Sequence, residues 1–299
     1  MLCADTLNLY NNKLTYLNVY GCKALQTLNC RNNQLTSIAN LFHEAGCKLA
    51  LDYLQISSNK FTSLDLSALS KLKTLYCDNV TTLTSLTCTG TALTTLTVNG
   101  CSSLKTLNCY NNNLTTLNMD ACTSLQKLDC KNNYSLSSIG NMQSIRPTLQ
   151  ELNVKSCNFT SLGLTGATNL KYLNCSDNQL NLLNLSGLSS LQNLECSNNS
   201  SLTSLDLSAS AFPNLSEVNC SYCDIRNINW YDLKLSKLDC SYNANLKTLN
   251  NARDYFNQTK PLTTLNVNGC SALTEIKCFL QCVEFHQFEL LQQSFEITL

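Results

Sequence analysis

Charge is scarce in this chain: 20 basic and 20 acidic side chains make up 13% of 299 residues, and they cancel. Such a balance gives no bulk attraction to nucleic acid or to an anionic membrane. No run of 18 apolar residues occurs, so no membrane-spanning helix is expected. Histidine is rarer still, with His43 and His286 the only two. In an elongated chain they sit too far apart to share a site. The single C-x-x-C, Cys220-Ser221-Tyr222-Cys223, has no second such pair to complete a zinc site, and there is no H-E-x-x-H and no glycine-rich phosphate loop. Acidic residues such as Asp129, Glu195 and Asp239 stand singly rather than as a pair poised for acid/base work. We therefore assign no catalytic, cofactor-binding or metal-binding residue and read the chain as a non-enzyme. The opening residues MLCADTLNLY lack the charged, apolar and small-residue regions of a signal peptide. We read Met1 as the start of a processed or recombinant form.

What the chain has in abundance is internal repetition, seen most clearly over Leu170 to Ser190. Leu170, Leu173, Cys175 and Asn178 occupy positions 1, 4, 6 and 9 of a half-unit. Leu180, Leu183, Leu185 and Leu188 occupy the same offsets of a second half, and Leu191, Leu194, Cys196 and Asn199 restart the cycle. Self-similarity of this period is the signature of a stacked solenoid. Strict alternation with Leu and Thr in both halves, as in LTTLTV from Leu93 and LTSLDL from Leu202, predicts a strand on each of two walls. Coils counted from the first leucine number about twelve, which at about 4.8 Å each gives a gently curved rod some 55 to 60 Å long.

Three coils carry inserts, after Leu35, Leu136 and Leu246, and each is expected to form a helical turn or loop. Between Leu72 and Leu104 an additional half-unit, LTSLTCTGTA from Leu83, leaves two readings open. Either that coil bulges or the cysteine ladder changes face. The tail FLQCVEFHQFELLQQSF has helix-like spacing and is read as a cap. The domain reading is therefore a solenoid over 1–282 and a C-terminal cap over 283–299.

Cys30, Cys77, Cys109, Cys130, Cys175, Cys196, Cys220 and Cys240 all fall at position 6, which faces the core. Side chains in register on parallel strands point the same way, which makes the disulfide torsion hard to reach. We read them as reduced thiols acting as small hydrophobes. Position 9 repeats asparagine, from Asn12 and Asn33 to Asn199 and Asn243. A buried amide there bonds backbone groups of its own and the adjacent coil.

The pattern L-x-x-L-x-C-x-x-N-x-L resembles the leucine-rich repeat. With its length of twenty-one and its cysteine at position 6, it is similar to the repeats of bacterial surface proteins, including some internalins. The resemblance covers roughly residues 4 to 282. It implies a mainly β leucine-rich repeat solenoid and an extracellular or cell-surface binding module, adhesin-like, for a protein or glycan partner.

Function is expected at outward positions 3, 5 and 7 and the adjoining position 8. Tyr53, Tyr76, Tyr110, Tyr172, Tyr222 and Tyr242 recur there along the cysteine-type wall, among Asn108, Asn174 and Asn219. Tyrosine pairs an apolar face with a hydrogen-bonding tip, which suits a recognition surface. The other wall carries Ser85, Thr87, Thr89, Thr95, Thr97 and Thr116, but the T-x-T pattern lapses in later coils, against an ice-binding array. The rival reading is an intracellular or periplasmic scaffold that forms homodimers through its C-terminal segment.

Overall fold

A computed structural model describes residues 4–19, 22–38, 50–207, 212–230, 233, 235–250, 262–277 and 296–297. The backbone divides into two compact units, Met1–Leu149 and Gln150–Leu299. In both, the strands are short parallel segments, nearly all of three residues. The first and third side chains face out and the middle one faces in, as the alternation demands. The chain is a mainly β leucine-rich repeat solenoid.

In the first unit one sheet runs through Thr6–Asn8, Thr27–Asn29, Tyr53–Gln55, Thr74–Tyr76, Thr95–Thr97, Thr116–Asn118 and Ser138–Gly140. The second wall of this unit runs through Ser63–Asp65, Ser85–Thr87, Thr106–Asn108 and Lys127–Asp129. Each coil repeats the register of the last, as in Thr27↔Tyr53 and Tyr53↔Thr74.

This topology decides between the two readings of the additional half-unit. The strands before Cys30 and Cys77 belong to the first sheet, whereas those before Cys88, Cys109 and Cys130 belong to the second. Half-units alternate between walls, so one additional half-unit reverses the assignment of every later one. The cysteine ladder changes wall at Leu83. The expectation of a single cysteine-type wall is corrected accordingly: Tyr53 and Tyr76 lie on a different sheet from Tyr110. The serine and threonine array is split by the same step, with Ser85 and Thr87 on the second sheet and Thr95, Thr97 and Thr116 on the first.

The second unit repeats the plan. One wall contains Glu151–Asn153, Tyr172–Asn174, Asn193–Glu195, Glu217–Asn219, Lys237–Asp239 and Thr264–Asn266. The other contains Ser204–Asp206, Asn227–Asn229, Thr248–Asn250, Glu275–Lys277 and Glu296–Ile297. Strand pairing on this second wall begins only at Ser204. The half-units around Gly163 and Leu182 run without strand, against the expectation of two strands in every coil. Gly163 has no side chain to pack on a pleated surface, and Leu182 points outward.

Buried leucines fill the interior: Leu28, Leu54, Leu75, Leu107, Leu152 and Leu173 are all fully covered. The insert after Leu136 forms a helical turn, Met142–Ile145, with both of those residues buried. The other two inserts and the tail over 279–295 lie outside the described residues. Glu296–Ile297 adds a parallel strand beside Glu275–Ile276.

Candidate functional site

The interior fixes which side chains are left for recognition. At position 9 the buried asparagine amides link two coils. Asn112 Nδ2 donates to the Cys88 carbonyl of the preceding coil at 2.8 Å and to its own Cys109 carbonyl at 3.0 Å. Its Oδ1 accepts from Leu93 N at 3.0 Å. Asn59, Asn133, Asn178, Asn199 and Asn243 repeat this arrangement.

Sequence reasoning missed the rungs where asparagine is replaced. Cys101, Cys122, Cys223 and Cys270 also stand at position 9, and each thiol lies against the position 6 carbonyl of the preceding coil. The distances are 3.0, 3.2, 3.4 and 3.1 Å to Cys77, Val98, Cys196 and Cys240. The spacing was the available signal, since each follows a position 6 residue by three. Burial pushes the thiols of Cys30 and Cys88 up to about 12, and that of Cys122 likewise to about 12. They are inert core groups at neutral pH.

Position 8 is left-handed in nearly every coil, with φ near +55° at Asn11, Asn32, Asn111, Asn132, Asp177 and Asn198. Asparagine and aspartate tolerate this conformation through local hydrogen bonds. Several also bond in pairs from coil to coil, as Asn132 Nδ2 to Asn111 Oδ1 at 2.7 Å. Tyr222 and Tyr242 break the series: both are left-handed, at φ 54° and 57°, and 50% and 45% exposed. Their rings stack at 4.3 Å with planes 12° apart. Gly269, the position 8 residue of the next coil, makes room for Tyr242. A Cβ there would come within 2.7 Å of the ring.

The other candidates fall on three surfaces. Tyr53 and Tyr76 are half-buried neighbours on the first sheet of the first unit, 5.7 Å apart and tilted by 55°. Asn108 and Tyr110 lie on the second sheet of that unit, where the Lys131 ammonium sits 4.6 Å over the Tyr110 ring. Lys131 also pairs with Asp129 at 3.3 Å. Tyr172, Asn174 and Asn219 share a wall of the second unit with the stacked tyrosines.

Position 5 has a structural duty that the sequence reading did not include. Asn174 Oδ1 accepts from Ser176 N, and Asn219 Oδ1 from Ser221 N, each at 3.1 Å. Asp129 and Asp239 close the same turn through Lys131 N and Ser241 N. These are Asx turns that bend the chain out of the strand. Asn174 spends its amide as well, donating to the Tyr172 hydroxyl at 3.2 Å. Glu195 is held above the usual carboxylate range by burial, opposed by a hydrogen bond with Asn219. Among the described residues, no three His, Cys, Asp or Glu side chains converge to hold a metal ion. No helix among them is long and apolar enough to cross a membrane.

The Leucine Rich Repeat model matches residues 103–125, one coil of the first unit. No curated protein matches the chain. Among solved structures, the functional domain of InlJ from Listeria monocytogenes, described as including a cysteine ladder, is 24% identical over 91% of this chain and 67% of its own, with a TM-score of 0.40. YopM from Yersinia pestis is 21% identical over 88% of each chain, with a TM-score of 0.49. The internalin inlF of Listeria monocytogenes is 18% identical over 93% of this chain and 87% of its own, at 0.47. These likenesses concern the fold.

Proposed function

We propose that the chain is a non-enzymatic binding module, adhesin-like and displayed at a cell surface or secreted, which recognises a protein partner through its exposed strand faces. The observation that carries this reading is the Tyr222–Tyr242 pair. A bulky side chain in the left-handed region costs roughly 1–2 kcal/mol, and most other coils avoid much of that cost with asparagine, aspartate or glycine at the same place, while Ser58, Ala121 and Ser156 are small. Neither ring is buried enough for the core to require it. Aromatic side chains of this kind are the usual anchors of protein interfaces. Tyr172, Asn174 and Asn219 extend the surface on the same wall. Tyr53, Tyr76, Asn108 and Tyr110 belong to the faces of the first unit.

The test replaces Tyr222 and Tyr242 by asparagine, the residue the fold already uses at position 8. The intact chain should retain a surface protein from host-cell membrane extracts in pull-down, and the double variant should lose it while keeping its circular dichroism. Equal retention by the variant, or no retained protein at all, would remove this reading. Surface labelling of the source cells with an antibody to the chain tests the location.

A further inference from the structure

The first sheet of the first unit differs in composition from every other face. Its seven strands read TLN, TLN, YLQ, TLY, TLT, TLN and SIG, and none of their outward side chains is charged. Charge is frequent at the same positions elsewhere, as at Asp65, Lys127, Glu151, Glu217 and Asp239. Charged groups near this sheet stand at its margins, Asp5, Asp52 and Lys73 just before the strands and Arg31, Asp78 and Asp120 just after them. The Arg31 guanidinium lies 5.3 Å over the Tyr10 ring. Asp78 accepts from the Thr97 hydroxyl at 2.7 Å and from Asn99 N at 2.9 Å.

The sheet is not merely neutral. It presents a column of hydroxyls in register, with Thr27, Tyr53, Thr74 and Thr95 directly opposite one another on successive strands. Among the described residues, no hydrogen bond engages these hydroxyls or that of Tyr76. They are half-buried, rigidly spaced by the backbone and available as both donors and acceptors. At the centre the Tyr53 and Tyr76 rings form an aromatic pair 5.7 Å apart. The core of a protein interface is about 65% apolar, and this strip has no aliphatic side chain to supply it.

We infer that this sheet binds an uncharged glycan, with the threonine hydroxyls and position 5 amides bonding sugar hydroxyls and the Tyr53–Tyr76 pair meeting the apolar C–H face of a sugar ring. The ligand differs from that of the protein-binding reading, and this sheet does not contain the Tyr222–Tyr242 pair that carries that reading, so either can fail without the other. A chain of sugars laid along the coils meets equivalent hydroxyls at each step. Its binding is insensitive to salt, because no ion pair forms.

Calorimetric titration of the full chain with cellohexaose, laminarihexaose, mannohexaose and chitohexaose, with hexagalacturonate as the acidic control, tests the inference. At least one neutral hexaose should bind, with the same affinity at low and high salt, and hexagalacturonate should not. Thr74→Lys places a charge in the middle of the strip and should weaken binding by about ten-fold or more, since the ammonium must be desolvated. Ser63→Lys, on the second sheet, should leave it unchanged. Absence of binding by every neutral hexaose, preference for hexagalacturonate, or equal loss with Ser63→Lys would overturn the inference. Loss of the captured protein with Thr74→Lys, and no glycan bound, would reassign this sheet to protein.

Discussion

The sulfur of Cys101 lies 3.0 Å from the carbonyl oxygen of Cys77, one coil earlier on the same sheet. On the other wall Asn112 Nδ2 meets the Cys88 carbonyl at 2.8 Å. The two contacts are equivalent, so cysteine and asparagine are interchangeable donors at position 9. Where the amide is used, one side chain satisfies two carbonyls and one N–H. Where the thiol is used, it satisfies the inter-coil carbonyl alone.

Replacing Cys101 by serine should therefore cost little, because a hydroxyl still donates to Cys77. Cys101→Val stays apolar, adding one methyl group, but leaves that carbonyl buried and unpaired, at a cost of about 1–3 kcal/mol. Urea denaturation of the two variants beside the parent separates them. Equal loss in both would show that packing rather than the hydrogen bond matters at this rung.

The amide rungs should be less forgiving. Asn199 is fully buried, donates to the Cys175 and Cys196 carbonyls at 3.1 and 2.9 Å, and accepts from Leu180 N. Asn199→Asp sets a carboxylate against those carbonyls and should cost about 3 kcal/mol or more at neutral pH. Burial raises the pKa of the introduced acid above its unfolded value. The penalty is therefore present at neutral pH and relieved as pH falls through the folded pKa. A variant whose deficit is the same at pH 4 and pH 7 would contradict this.

Much of this architecture was legible in the sequence, and the misses have physical causes. The positions of Leu28, Cys175 and Asn178 followed from period and alternation, because a buried face tolerates few residue types. The change of wall at Leu83 was visible as an odd half-unit, but its direction depends on which strands pair, a relation between coils that local spacing leaves open. The thiol rungs were hidden because cysteine at position 9 reads as another small hydrophobe. The candidate site was legible only as a set of outward residues. That Asn174 and Asn219 close turns, and that Tyr222 rests on Tyr242, depend on side-chain torsions and on Gly269 in the next coil.

At high pH the core should fail cooperatively. Burial raises the thiols of Cys30, Cys88 and Cys122 from the ordinary 9.0 to about 12. Below pH 9 these groups are protonated in both states and cost nothing. Above it the unfolded chain loses protons that the folded chain keeps, so each thiol lowers stability by about 1.4 kcal/mol per pH unit until its folded pKa is passed. Thermal melts from pH 8 to 11 should show a steep fall beginning near pH 9. A flat profile would mean that the thiols are exposed or oxidised.

One residue carries left-handed strain with no compensating side chain. Ala121 is exposed, stands at φ 56° and occupies position 8, where most other coils use asparagine or glycine. Ala121→Gly should stabilise the chain by about 0.5–1 kcal/mol, the relief of strain exceeding the entropy that glycine adds to the unfolded state. A lower melting temperature would contradict the assigned conformation.

The claim on which the rest stands is that the rungs are reduced and buried, leaving the outer faces free for recognition. Intact-mass measurement after alkylation without reductant tests it directly. The native chain should take up little reagent at Cys30, Cys77, Cys88, Cys101, Cys122, Cys175, Cys196, Cys220, Cys223, Cys240 and Cys270. After unfolding in guanidinium it should gain one alkyl group for each of them. Any of these positions still blocked after unfolding, and released only by a reductant, would mean that the ladder holds disulfides and would contradict the account.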